Sequence, residues 1–188
     1  MALPSPSQAF IALGSNLSLN REMDSGAEIL TPEQIIRAAI AALEDLAFSK
    51  LRRASSIYRS PAWPPAIDGA INPQPDYANA VVEISTELAP HAVLECLMNI
   101  EQSFGRRRQH AKQNAARTLD LDLLIHGRLR IDTELLTLPH PRLQSRAFVL
   151  LPLAEIAPDL HLPLASGPIA LQACIAALPP ESQTLPRF

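Results

Sequence analysis

RTLDLDLLIHG, residues 117–127, decides how the second half of the chain folds. Leu119, Leu121 and Leu123 alternate with Asp120 and Asp122, the two-residue period of a β-strand, so the leucines face a core while both carboxylates stand on the opposite face. A strand here completes a series. QAFIALGSNL (8–17) alternates into a first strand that ends in turn chemistry at Gly14, Ser15 and Asn16. Thr31 then offers a hydroxyl N-cap, Pro32 a first helical residue and Glu33 a first-turn acid. The predicted helix buries Ile35, Ile36, Ala39, Ile40 and Leu43 and runs to about Ala47. FSKLRRASSIYRS (48–60) is half polar and extended, an edge strand that stops at Pro61. YANAVVEIST (77–86) is a β-branched strand, and Pro90 opens a helix to about Ser103.

Strand, helix, strand, strand, helix, strand is the split βαβ pattern, which predicts an α+β fold: an antiparallel sheet with helices on one face. Residues 1–188 are expected to form one domain. Further on, the pattern predicts a strand pair around Leu129 to Leu138, short helical pieces from about Ser145 to Ile156 and a last helix near Ile169 to Leu178. That last helix could pack on the core or serve a dimer interface. Two stretches interrupt the series. LSLNREMDSGAEIL (17–30) reads as a polar connection, and PAWPPAIDGAINPQPD (61–76), with five prolines, as a long ordered loop.

A formal net charge of −3 gives the chain as a whole no electrostatic reason to bind DNA, RNA or an anionic membrane. MALPSPSQAF lacks the basic and apolar regions of a signal peptide, and no apolar run reaches the ~18 residues of a membrane span. Cys96 and Cys174 lie in apolar, helix-like stretches without C-x-x-C spacing, as core thiols do. A cytoplasmic protein is expected.

Two adjacent carboxylates repel unless water, a cation or a basic group compensates them. A solvated edge strand would satisfy them, and that is the ordinary reading of an isolated D-x-D. Here, however, Arg106, Arg107, Arg108, Lys112 and Arg117 crowd the preceding residues of a chain with negative net charge. Mg²⁺ takes one or two carboxylates plus phosphate oxygens, and arginine binds phosphate bidentately, so acids and arginines together point to a metal and phosphate site. Neither a P-loop nor a G-x-G-x-x-G sequence is present.

ALGSNL (12–17), YRSPAW (58–63), PDYANAV (75–81), IEQSFGRRR (100–108), RTLDLDLLIHG (117–127) and LPHPRLQSRAFVLLPLAEIAPDL (138–160) occur in an order that resembles the 6-hydroxymethyl-7,8-dihydropterin pyrophosphokinase family of the folate pathway. The resemblance implies a ferredoxin-like fold and transfer of the β,γ-diphosphate of ATP to the pterin hydroxyl, releasing AMP. By it, Asp120 and Asp122 would hold two Mg²⁺ ions, with Arg106 and Arg117 completing the catalytic group. Glu101, Arg108, Leu123, Thr137, His140 and Arg146 would bind ATP. Ser60, Pro61, Tyr77, Asn79 and Phe148 would bind the pterin. Tyr77 and Asn79, two apart on one strand, can face one pocket, and asparagine offers a donor and an acceptor to a pterin edge. The expected partners are therefore small molecules, ATP and the pterin, with no nucleic acid and no membrane, in a monomer or weak dimer.

The sequence departs from the family where Asn114-Ala115-Ala116 replaces Trp-Gly-Pro, where Pro141 follows His140, and at Leu135. Trp63 reads equally as a lid over the pterin or as an anchor of its loop. Two rival readings use the same features. A divalent-dependent nucleotidyl or glycosyl transferase would also need the D-x-D. An RNA-binding module would need sheet-face aromatics and a basic surface, which the charge balance and the lack of a K/R-G-F-x-F signature oppose.

Overall fold

The computed structural model describes residues 5–23, 26–62, 74–106 and 115–188. Arg107, Arg108, Asn114 and Trp63 lie outside them, so the expectations placed on those residues are not addressed by the structure. A sheet built from β1 (Ser7–Ser15), β4 (Ser49–Ala54), β5 (Tyr58–Ser60), β6 (Tyr77–Thr86) and β7 (Asp120–His126) forms the centre. Its order is β4-β6-β1-β7, all antiparallel, with β5 also on β6. Helices α1 (Pro32–Glu44) and α2 (Pro90–Ser103) connect the strands in the predicted order.

Period-two alternation divides the core into two layers. Ala9, Ile11 and Leu13 of β1, with Leu121 and Leu123 of β7, pack against Ile35, Ile36 and Ala39 of α1 and Val93 and Leu97 of α2. Phe10 and Ala12, on the other face, pack with Val81, Leu124 and Ile125 against α3 (Ala147–Ile156) and α4 (Leu171–Ala176). Helices thus cover both faces, which corrects the expectation of one. The reason is the very apolar α3, whose Val149, Leu150, Leu153 and Ile156 are all buried. α4 turns Leu171 and Cys174 into this second layer, so it packs on the core.

Further differences have local causes. α1 has the predicted start, closed by a reciprocal capping box between Thr31 and Gln34. It stops three residues early, and Phe48 adopts a left-handed φ of 57° where the chain turns into β4. The extended stretch 48–60 is two strands, both laid along β6. The polar connection is a β-hairpin, β2 (Leu19–Met23) with β3 (Gly26–Leu30). Its buried anchor, Leu30, joins the first core layer. The predicted strand pair is reduced to β8 (Ile131–Asp132) and β9 (Thr137–Leu138). The helical pieces near 145–156 are a 3₁₀ turn at Leu143–Ser145 followed by a continuous α3. Pro152 inside α3 costs ~3 kcal/mol of helix stability, an amount that burying four large apolar side chains exceeds. The last helix begins only at Leu171 because β10 (His161–Leu164) and β11 (Gly167–Ala170) form a hairpin, with Gly167 at φ 112°.

Glu155, near the end of α3, accepts hydrogen bonds from Ser56 N (3.1 Å), Ser56 Oγ (2.8 Å) and Tyr58 Oη (2.7 Å). Burial pushes its carboxyl up, but the bonds from Tyr58 and Ser56 and the nearby Arg187 outweigh that and leave it below its usual 4.5. A depressed folded value means that the stabilisation is present above the ordinary value and fades as pH falls through the folded one. The melting temperature of Glu155→Gln should accordingly lie below wild type by most near neutral pH, with the gap closing as pH falls below the ordinary carboxylate value and through the depressed one. A gap independent of pH would contradict this assignment.

Candidate active site

The strand register places the site. Gly14 of β1 pairs with Asn79 of β6 on one side and Asp120 of β7 on the other, and Ala12 pairs with Val81 and Asp122. Small residues at Gly14 and Ala12 therefore form a low floor, with polar side chains on either side of it. A Cβ at Gly14 would lie 3.6 Å from Asn79 Oδ1 and 4.0 Å from Asp120 Cβ. Tyr77 and Ser60 project from the same face, since Tyr58 pairs with Asn79 and Ser60 with Tyr77. The N-terminal end of α3 supplies the facing wall.

The resulting pocket is lined by Ala12, Leu13, Gly14, Ser60, Pro61, Tyr77, Asn79, Arg117, Asp120, Asp122, Arg146, Phe148 and Val149. Its apolar end holds the rings of Tyr77 and Phe148 beside Pro61. Asn79, 3% exposed, donates from Nδ2 to Ser60 Oγ (3.0 Å), which fixes the orientation of its amide. All five residues expected at the pterin thus meet in one place. Burial pushes the Tyr77 phenol above its usual range, so it stays protonated near neutral pH.

At the other end each aspartate already carries guanidinium. Arg106 Nη1 bonds Asp120 Oδ1 and Glu101 Oε1, and Arg117 Nη1 bonds Asp120 Oδ2 at 2.7 Å. Arg146 Nη1 lies 3.2 Å from Asp122 Oδ2, and His140 Nε2 is 3.7 Å from the same oxygen. Asp120 and Asp122 nonetheless keep side-chain exposures of 24% and 33%, so they remain open to a ligand. Burial is the main reason that His140 is shifted below its usual value, with Asp122 opposing.

Two expected nucleotide residues are placed elsewhere. Glu101 is 1% exposed and lies beneath the sheet end, where it accepts from Leu121 N (2.8 Å) and holds Arg106. The Leu123 side chain is buried in the α1/α2 layer. Thr137 and His140 instead line an adjoining groove with Arg130, Gln144 and the tip of the β10/β11 hairpin at Leu164–Ser166.

Three residues that no role was expected for build the site. Gly14 and Ala12 form the floor. Asn16, 2% exposed, accepts from Arg117 N (2.8 Å) at Oδ1 and donates from its own N to Arg117 O (3.1 Å). Its Nδ2 reaches Pro75 O at 3.2 Å, tying the arginine to the segment that leads into Tyr77. The signal was the Gly-Ser-Asn run after the first strand, which as sequence reads only as a turn.

Comparison with known proteins identifies the family of the chain. The family model described as 7,8-dihydro-6-hydroxymethylpterin-pyrophosphokinase (HPPK) matches residues 10–158. The chain belongs to the HPPK family. It is 42% identical over 155 residues to the 2-amino-4-hydroxy-6-hydroxymethyldihydropteridine pyrophosphokinase of Haemophilus influenzae, covering 82% of this chain and 84% of the relative. The Pseudomonas aeruginosa enzyme of the same name is 40% identical over 156 residues, covering 83% and 84%. A crystal structure of wild-type HPPK-DHPS from Plasmodium falciparum with pteroate superposes with a TM-score of 0.60 at 13% identity. That likeness covers 93% of this chain and 43% of the other, and it concerns the fold alone. As an HPPK, the chain is an enzyme of the pyrophosphokinase class. No helix among the described residues is long and apolar enough to cross a membrane.

Proposed function

We propose that the chain transfers the β,γ-diphosphate of ATP to the hydroxyl of 6-hydroxymethyl-7,8-dihydropterin, releasing AMP, as a step of folate synthesis. One observation carries the reading: a slot sized by two aromatic rings and an oriented amide opens directly onto a carboxylate pair ringed by arginines, all on one sheet face. The Asn79 amide and Ser60 recognise the polar edge of the pterin, while Tyr77 and Phe148 hold its plane. This aims the primary hydroxyl toward the aspartates. Its oxygen bonds the β-phosphorus and gives up its proton to solvent as the bond to the α,β-bridging oxygen breaks, and AMP departs with that oxygen.

Among the described residues no cluster of three or more acidic, histidine or cysteine ligands could cage a metal by itself. Asp120 and Asp122 suit Mg²⁺, which accepts one or two carboxylates and completes its shell with water and phosphate oxygens. Held there together with ATP, Mg²⁺ would supply neutralisation of phosphate charge, two ions being the number the family resemblance implies. The arginines then have a second task. Arg106, Arg117 and Arg146, paired with the aspartates in the structure, become available to phosphate oxygens and to the charge that develops in transfer. Arg108, which the family resemblance assigns to ATP, would join them. Thr137 and His140 mark the groove for the nucleoside, and Glu101 acts by orienting Arg106.

The test mixes protein, ATP, Mg²⁺ and the pterin and separates the nucleotides. AMP that appears only with the pterin is expected. ADP, or nucleotide turnover indifferent to the pterin, would overturn the reading and favour a metal-dependent transferase.

A further inference from the structure

Residues 159–188 lie beyond the family match, and their last segment is built onto the pterin side of the pocket. β5 is only three residues long, and one of its edges is paired with β6. The segment 185–188 pairs with the other edge. Arg59 N donates to Pro186 O (2.8 Å), Phe188 N donates to Ile57 O (3.0 Å), and Tyr58 and Arg187 face each other between these bonds. The Phe188 ring lies 4.5 Å from the Arg59 guanidinium carbon.

The same segment reaches the helix that forms the opposite wall. Arg187 Nη2 donates to Tyr58 Oη (2.9 Å) and lies 3.5 Å from Glu155 Oε2, which accepts from the Tyr58 hydroxyl. Tyr58 is two residues from Ser60 on β5, and Glu155 is on α3, the helix that carries Phe148. The Tyr58–Glu155 bond therefore joins the Ser60–Pro61 wall to the Phe148 wall.

We propose that residues 185–188 clamp the short strand β5 against α3 and thereby set the spacing of the two walls of the pterin slot, with Tyr58, Arg187 and Phe188 as positioning residues. The inference rests on the assignment of this slot to the pterin. Arg187 is 57% exposed, and exposed ion pairs contribute little, so the backbone pairing carries most of the effect. Displacing β5 by a fraction of an ångström misplaces Ser60 and Pro61, and alignment losses of that size appear in substrate binding.

Steady-state constants for both substrates test the clamp. Phe188→Pro, which removes the donor and the ring together, should raise the pterin KM about tenfold while leaving the ATP KM and kcat within about twofold of wild type. Phe188→Ala keeps the donor and should fall between the two, Phe188→Tyr should match wild type, and Tyr58→Phe should also raise the pterin KM alone. Pterin and ATP constants rising together in step with lost heat stability would overturn the clamp, as would unchanged constants in every variant. A wild-type protein without pterin dependence would remove the pterin assignment and the clamp with it; a wild-type protein that uses pterin beside variants that use it equally would remove only the clamp.

Discussion

Asp120→Ala Asp122→Ala is expected to lower pterin-dependent AMP formation by at least about 10⁴-fold while leaving the protein folded and its pterin affinity within a few-fold of wild type. Both carboxylates sit at the mouth of the pocket and are a quarter to a third exposed, so truncating them creates no closed cavity. The arginines they release keep other partners: Arg106 retains Glu101, Arg117 retains Ala115 O through Nε (3.0 Å) and its backbone bonds to Asn16, and Arg146 stays over the Phe148 ring. The slot residues Ser60, Tyr77, Asn79 and Phe148 are not bonded to either aspartate, which is why pterin affinity should survive. What disappears is the only carboxylate pair that the described residues bring to the pocket, and with it the proposed seat for divalent charge beside the nucleotide phosphates. Product separation for activity, and calorimetry with the pterin for binding, separate these claims. A variant keeping a tenth of the activity would show that the transferred phosphates are held elsewhere, and one losing pterin affinity in proportion would show that the aspartates shape the slot and not the chemistry.

The elements that were readable from sequence are those whose side chains alternate or cap strongly. Leu119 to Leu123 announced β7, Thr31 and Pro32 announced α1, and Tyr77 with Asn79 announced one face of β6 because a two-residue period leaves no other arrangement. The β2/β3 hairpin is not legible because among its described side chains only Leu30 is buried while Ile29 is 64% exposed, so no apolar alternation is there to read. The second helical layer escaped for the opposite reason: α3 is buried nearly all round, and an unbroken apolar run containing a proline has no face. The pocket's floor was invisible on different grounds. Gly14 and Ala12 matter by what they lack, and Asn16 matters by bonds to Arg117, 101 residues away, a distance that no local pattern encodes. The C-terminal segment likewise acquires meaning only from pairing with β5.

Gly14→Val is expected to weaken pterin binding at least about 100-fold, or about 2.7 kcal/mol, in a protein that melts within a few degrees of wild type. The position accepts a side chain: Gly14 is absent from the residues with left-handed φ, and its new Cβ would sit at ordinary contact distances of 3.6 to 4.0 Å from Asn79, Tyr77 and Asp120. A β-branched residue also suits a central strand. The cost falls on the ligand, because the two methyl groups beyond Cβ project into the space between the Asn79 amide and Asp120, where the pterin's reacting end must lie if it is to reach the diphosphate. Gly14→Ala, filling less of that space, should weaken binding by an intermediate factor. Calorimetry with the pterin, in the presence of a non-hydrolysable ATP analogue and Mg²⁺, gives the affinity, and the analogue titrated alone should bind the Val variant within about fivefold of wild type. Pterin affinity unchanged in Gly14→Val would place the substrate outside the strand floor and dissolve the link between the Asn79 slot and the aspartates, whereas loss of both ligands together would mean that the substitution had moved β7.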